Sequence, residues 1–148
     1  MKLSTKGRYG LRAMTDLAVY GRNNRVSIAL IAERQGMSVS YLEHLFSLLK
    51  KAGLVHSVKG AQGGYLLACP AEKTSIGDIL RALEGNITLL EATSEETFAS
   101  DALSNCIRHI VWDAVDKKMN HFLDNITLEE LAEDTRTIEG MCDPMYFI

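Results

Sequence analysis

The sequence predicts a mainly α-helical fold interrupted by one short β-hairpin, and three observations predict it. Apolar residues recur at three- and four-residue steps along most of the chain, the period of helices that bury one stripe. The exception is Val58-Lys59-Gly60-Ala61-Gln62-Gly63-Gly64-Tyr65-Leu66-Leu67, where glycines separate two β-prone runs, Leu54 to Val58 and Gly64 to Ala68. With 148 residues, 47% hydrophobic content and only two prolines, the chain is expected to fold as one compact unit with room for an appended arm.

Each element follows from local pattern. Gly10, Ala13, Met14, Leu17, Ala18 and Gly21 form one stripe and predict a first helix from Thr5 to Gly21. After the polar Arg22-Asn23-Asn24-Arg25 turn, Ser27 is placed to cap a short second helix carrying Ile28, Ile31 and Ala32, which Gly36 ends. Ser38 starts a third helix almost at once. There Leu42, Leu45, Phe46 and Leu49 make a narrow apolar face, while Ser40, Glu43, His44, Ser47 and Lys51 fall opposite; Ser40 and Glu43 also have capping-box spacing. Lys50-Lys51-Ala52-Gly53 closes that helix and the hairpin follows directly. Ser75-Ile76-Gly77-Asp78 caps a fourth helix bearing Ile79, Leu80 and Leu83, which stops at Glu84-Gly85.

An acidic, poorly periodic segment then runs from Glu91 to Asn105. Beyond it Ile107, Val111, Ala114, Met119, Phe122 and Ile126 keep an apolar stripe through a helix of about five turns. That is more than one small core uses, and dimerisation is its natural use. Thr127-Leu128-Glu129-Glu130 has capping-box spacing and opens a last short helix, and the tail after Gly140 is expected to be weakly structured.

Charge points to the partner. Residues 1–68 hold ten Lys and Arg against three Asp and Glu, a net +7, whereas residues 69–148 hold six against sixteen, a net −10. The front half suits a polyanion, unless these charges are merely clustered on solvated faces. Two helices joined by a short glycine-containing turn, the second with a free polar face, make a helix-turn-helix, and a hairpin immediately after it makes a winged one. Gly60, Gly63 and Gly64 let the hairpin tip approach a phosphate backbone and let Lys59 reach into a groove. A nucleotide-binding phosphate loop is disfavoured, because no Gly-Lys-Ser/Thr follows and a strand comes next. No nucleophile-base pair, metal triad or cofactor loop stands at usable spacing, so an enzyme is not expected.

The amino-terminal residues lack the apolar segment of a signal peptide, and no apolar run reaches membrane-spanning length, which predicts a cytoplasmic protein with no membrane partner. Cys69, Cys106 and Cys142, odd in number and far apart, are expected to be free thiols or ligands, not a disulfide framework. The expected organisation is a winged helix-turn-helix DNA-binding domain over 1–85, a sensor loop over 86–105, dimerisation helices over 106–134 and a flexible tail over 135–148.

Ser4-Thr5-Lys6-Gly7-Arg8-Tyr9-Gly10, Ile31-Ala32-Glu33-Arg34-Gln35-Gly36-Met37-Ser38, Tyr41-Leu42-Glu43, the hairpin and Asn125-Ile126-Thr127-Leu128 together resemble the Rrf2 family of regulators over roughly residues 1–134. Within it the likeness is greatest to the IscR type, with the CymR and NsrR types as relatives. The resemblance implies a homodimeric winged helix-turn-helix repressor or activator of double-stranded DNA with a palindromic operator. It implies DNA contacts from Ser38, Ser40, Tyr41 and Glu43 on the third helix, from Lys59, Gly60 and Gln62 in the wing, and from Lys6, Arg8 and Tyr9 near the backbone. Charge adds Lys50 and Lys51 as phosphate neutralisers. The family more often has arginine where Lys59 stands, and lysine cannot make arginine's planar two-bond grip on guanine. Glu43, repelled by phosphates, makes sense where it accepts from a cytosine amino group; its other reading is as capping partner of Ser40.

IscR-type members carry three cysteines at five-residue gaps and then a histidine. Cys106 and His109 match the last two, and Ser94 and Ser100 stand at the first two positions. The resemblance thus implies a parent type holding a two-iron two-sulfur cluster and a present chain that binds none, because serine hydroxyls are poor iron ligands and one thiolate with one imidazole falls short of four. Chance placement of two loop serines is the alternative. Cys106 is expected either to gain thiolate character at a helix start or to be a buried structural thiol. Cys69 is expected to pack, Cys142 to lie in the tail, and His44, His56 and His121 to be surface or packing residues. Three functions remain open: an iron-sulfur-type regulator lacking its cluster, a cluster-free CymR-like regulator of thiol metabolism acting through a partner protein or Cys106 oxidation, and a winged-helix protein-interaction module.

Overall fold

The structure, a computed structural model, describes residues 3–22, 24–61, 63–90 and 101–141. Helix α1 (Thr5–Tyr20) runs through the middle of the fold, with Ala13, Met14 and Leu17 wholly buried. It lies close against α4 (Ile76–Glu84). A Cβ at Gly10 would sit 2.2 Å from a Leu83 methyl, and one at Gly7 would sit 2.7 Å from the Glu84 carboxylate, so a larger residue at either position would displace the side chain packed on it. Glu84 also satisfies the start of α1: its Oε1 accepts from the Ser4 hydroxyl, from the Ser4 amide at 2.8 Å and from the Gly7 amide at 3.0 Å.

Helices α2 (Ile28–Gln35) and α3 (Val39–Lys51) form the expected pair. Ser27 caps α2 by accepting from the Leu30 amide, and Gly36 ends it with φ 64°, a left-handed conformation that glycine adopts at no steric cost. Ser38 caps α3 by accepting from the Tyr41 amide at 3.2 Å. The Ser40–Glu43 capping box expected from spacing is therefore not formed, because Ser40 already lies inside the helix. Leu42, Leu45, Phe46 and Leu49 are all fully buried, as the stripe predicted, and join Ile31, Ile79, Leu83 and Leu128 in one core.

Strands β1 (Val55–Val58) and β2 (Gly64–Leu67) pair antiparallel, with Val55 opposite Leu67 and Val58 opposite Gly64. Val26 extends the sheet through two backbone bonds with Tyr65, 3.0 and 2.9 Å. Gly64 lies so close to that bridge that a Cβ would meet the Val26 carbonyl at 2.5 Å. The Tyr65 ring packs on Phe46 with centroids 4.6 Å apart, anchoring the wing to α3.

In the back half, α5 (Ala102–Ile107), a π-helical turn (Arg108–Trp112) and α6 (Asp113–Asp124) join end to end as one rod. Asp101 caps it by accepting from the Ser104 amide at 3.0 Å, so the loop expected to reach Asn105 ends earlier. The expected single stripe splits between two faces. Met119, Leu123 and Ile126 pack on the core, whereas Ile107, Val111 and Phe122 are exposed together with Leu103, Ile110 and Val115. Arg81 pins α6 to α4 through 2.7 Å bonds to Asp124 and to Asn120. The Asp124 carboxyl is held below its usual range by that guanidinium.

Helix α7 (Leu128–Met141) opens with the expected capping box: the Thr127 amide donates to Glu130 at 2.7 Å and the Glu130 amide to Thr127 Oγ1 at 3.2 Å. It is longer than expected. The tail placed from residue 135 is helical as far as Met141, because Leu131, Ala132 and the Arg136 bond to the Ala18 carbonyl, 3.0 Å, hold it along α1. Gln62, Ser94, Ser100 and Cys142 lie outside the described residues.

Candidate nucleic-acid interface

The site is built on α3. Its buried face fixes the helix, which leaves Ser40, Glu43, His44, Ser47, Lys50 and Lys51 exposed on the other side. Ser38 spends one lone pair of its hydroxyl on the cap, so toward a base it keeps its proton and a second lone pair. At the far end Lys50 Nζ donates to Ser57 Oγ at 2.7 Å, joining α3 to the wing strand, while Lys51 is exposed one residue on. Lys59 and Gly60 are exposed at the wing tip, with Gly60 at φ 116° and its carbonyl accepting from the Gly63 amide at 3.0 Å.

The α1 side completes the surface. Lys6 and Arg8 are exposed in its first turn. Tyr9 meets Tyr41 edge to face, centroids 6.2 Å apart, and the Arg12 guanidinium sits 5.8 Å from the Tyr9 ring. The start of α1 is therefore seated beside the start of α3. Both tyrosines are half-buried, which makes them positioning groups as much as contacts.

One residue central to this arrangement was missed by sequence reasoning. Asp16, 3% exposed, accepts from Arg34 Nε and Nη2 at 2.9 and 2.7 Å and from Gln35 Nε2 at 2.8 Å. Gln35 in turn accepts from Arg12 at 3.3 Å. The last turn of α2, which leads into Gly36 and α3, is thus tied to α1 by a charged, fully bonded cluster. Arg34 also lies 4.1 Å above the Tyr20 ring, and the Tyr20 hydroxyl donates to Glu139 Oε1 at 2.6 Å, extending the link to α7. The usable signal was an acid between Thr15 and Leu17 in a half with few acids.

The cluster residues are placed differently from expectation. Cys106 lies in the second turn of α5, beyond the reach of the terminal dipole, and it is exposed, so neither the helix-start nor the buried reading holds. His109 is exposed within the π turn. Cys69 is exposed rather than packed. Among the described residues no three His, Cys, Asp or Glu side chains come together as a metal site. Cys106 and His109, the described members of the expected set, supply two donors of the four that an iron-sulfur cluster takes.

The Rrf2 family, described as "Iron-dependent Transcriptional regulator", matches residues 3–134. The chain belongs to the Rrf2 family. Among Rrf2 relatives, the HTH-type transcriptional regulator IscR of Vibrio campbellii is 41% identical over 139 residues, covering 94% of this chain and 82% of that protein. Among solved Rrf2 structures, CymR (YrzC), the global cysteine regulator of B. subtilis, superposes with TM-score 0.76 at 39% identity, covering 90% of this chain and 97% of that one. IscR of T. potens gives TM-score 0.71 at 43% identity over 91% and 88% of the two chains. The expected fold class and family are borne out, and this Rrf2 protein is a transcriptional regulator rather than an enzyme. Among the described residues no helix is long and apolar enough to cross a membrane.

Proposed function

We propose that this Rrf2 regulator binds duplex DNA as a homodimer, laying α3 in the major groove and the wing tip alongside, and that it does so without an iron-sulfur cluster. The observation carrying this is the strip Ser40, Glu43, His44, Ser47 on α3, exposed above a wholly buried apolar face. Lys6, Arg8, Lys50, Lys51 and Lys59 neutralise phosphates and set register; Glu43 accepts from a cytosine amino group and contributes discrimination, not affinity. Tyr9 and Tyr41 orient the two helix starts, and Gly60 with Gln62 brings the wing backbone to the DNA. The exposed apolar face of the rod is the surface that the second copy covers, which places two α3 helices on a palindromic operator.

The cluster reading fails on chemistry. Cys106 and His109 supply two donors of the usual four, and serine at positions 94 and 100 offers protonated hydroxyls where thiolates are wanted. A second reading follows from the likeness to a cysteine regulator: a signal arriving through a partner protein or through oxidation of the exposed Cys106.

A gel-shift titration against salt tests the DNA reading. The logarithm of affinity is expected to fall linearly with that of salt, by about 0.9 per phosphate contact, and Lys51→Ala should lower the slope by about one contact. Glu43→Ala should leave the slope and relax base preference. No shift at low salt would make the domain a protein-interaction module instead.

A further inference from the structure

Of the large apolar side chains of α3 one is exposed, at the edge of the polar strip. Val39 is 42% exposed, while the four apolar residues that hold this helix, Leu42, Leu45, Phe46 and Leu49, have no exposed surface. It is the first residue of the helix, directly after the Ser38 cap, and it stands one turn before Glu43 at the border of the polar strip, with Leu42 and Phe46 of the buried face three and seven residues on. Helix propensity does not call for valine there, since a β-branched residue is a poor helix former, and its side chain is left only partly covered. A single exposed apolar side chain is ordinary elsewhere on a surface. This one occupies the first turn of a recognition helix, the turn directed at base edges.

The major groove offers one apolar group, the C5 methyl of thymine. We infer that Val39 packs on a thymine methyl and so selects thymine at the base step adjoining the one read by Glu43. The inference rests on the DNA-binding reading above and extends it from a polar readout to a mixed one. Val39 and Glu43 then divide the pyrimidines between them, the carboxylate taking the cytosine amino group and the isopropyl group the thymine methyl. Covering one methyl stabilises by ~0.8 kcal/mol, about a fourfold preference per half-site.

The test uses the full chain and a duplex that the wild-type protein has selected from a random pool. Each thymine is replaced singly by deoxyuridine, which removes the methyl and nothing else. One position per half-site is expected to lose about fourfold in affinity for the wild type. Val39→Ala should bind the deoxyuridine and thymine duplexes equally, with an unchanged salt slope and an unchanged cytosine preference. Val39→Ile, which keeps the branched surface, should retain the thymine preference. Far-ultraviolet circular dichroism confirms that each variant folds. If no thymine is sensitive, or if Val39→Ala keeps the same sensitivity, the role of Val39 is overturned while DNA binding stands. Failure of the wild type to select any duplex would overturn both.

Discussion

Arg34 grips Asp16 through two hydrogen bonds, 2.9 and 2.7 Å long, at a carboxylate with no exposed side-chain surface. The pair joins α1 to the end of α2, and the turn that aims α3 begins two residues later. Asp16 is buried but Arg34 is partly exposed, so removing the carboxylate takes the acceptor from Arg34 and Gln35 without burying a bare charge, at a typical cost of about 1–3 kcal/mol. Asp16→Ala is expected to lose about 1–3 kcal/mol in urea unfolding and to weaken DNA binding with it. Lys6→Ala, at an exposed position, should leave the unfolding midpoint unmoved. Equal midpoints for the two variants would count against the anchoring role.

Tyr20 predicts an alkaline effect. Its bond to the Glu139 carboxylate, and secondarily its burial, raise the phenol above its ordinary value of 10.0. A group raised on folding stabilises fully below its unfolded pKa and loses that contribution as pH climbs through the folded one. Wild type should therefore exceed Tyr20→Phe in stability at neutral pH, and the gap should close above about pH 10. A gap independent of pH would show that the hydroxyl contributes nothing through this bond.

The rod's outer face predicts oligomeric state. Leu103 is 70% and Phe122 64% exposed, so a glutamate at either position does not disturb the protomer's own core. Leu103→Glu and Phe122→Glu should sediment as monomers and bind a palindromic duplex far more weakly than wild type. Dimers that survive both substitutions would place the interface elsewhere.

Cysteine at the two serine positions gives a spectroscopic test. Ser94→Cys with Ser100→Cys, purified anaerobically, is expected to gain iron, sulfide and visible absorption that the parent chain lacks. Persistent absence of iron and sulfide would mean that the spacing is coincidental.

Most elements were readable because their signals are local. The stripe Leu42, Leu45, Phe46, Leu49 and the caps Ser27 and Thr127 each need only a few neighbouring residues, and all three readings match the structure. Ser40 misled because capping-box spacing is satisfied twice over in Ser38-Val39-Ser40-Tyr41-Leu42-Glu43, and only the backbone decides which serine lies outside the helix. The end of α7 was placed too early because what holds it, Arg136 on the Ala18 carbonyl, spans most of the chain. The same distance hid the Tyr20–Glu139 link and the role of Asp16. Cys106 was assigned to a helix start because Asp101, the actual cap, sits in a stretch without apolar period.

The π turn from Arg108 to Trp112 sets the angular phase of the rod. Leu103, Ile107, Val111 and Val115 recur every four residues, a spacing that would creep about 40° per step around a regular α-helix. Winding more residues into one turn absorbs that creep, so a seam that would otherwise spiral away stays on the line of Phe122. Deleting a single residue there would swing the Leu103 end by roughly 100° and split the seam in two, though every apolar side chain would still be present.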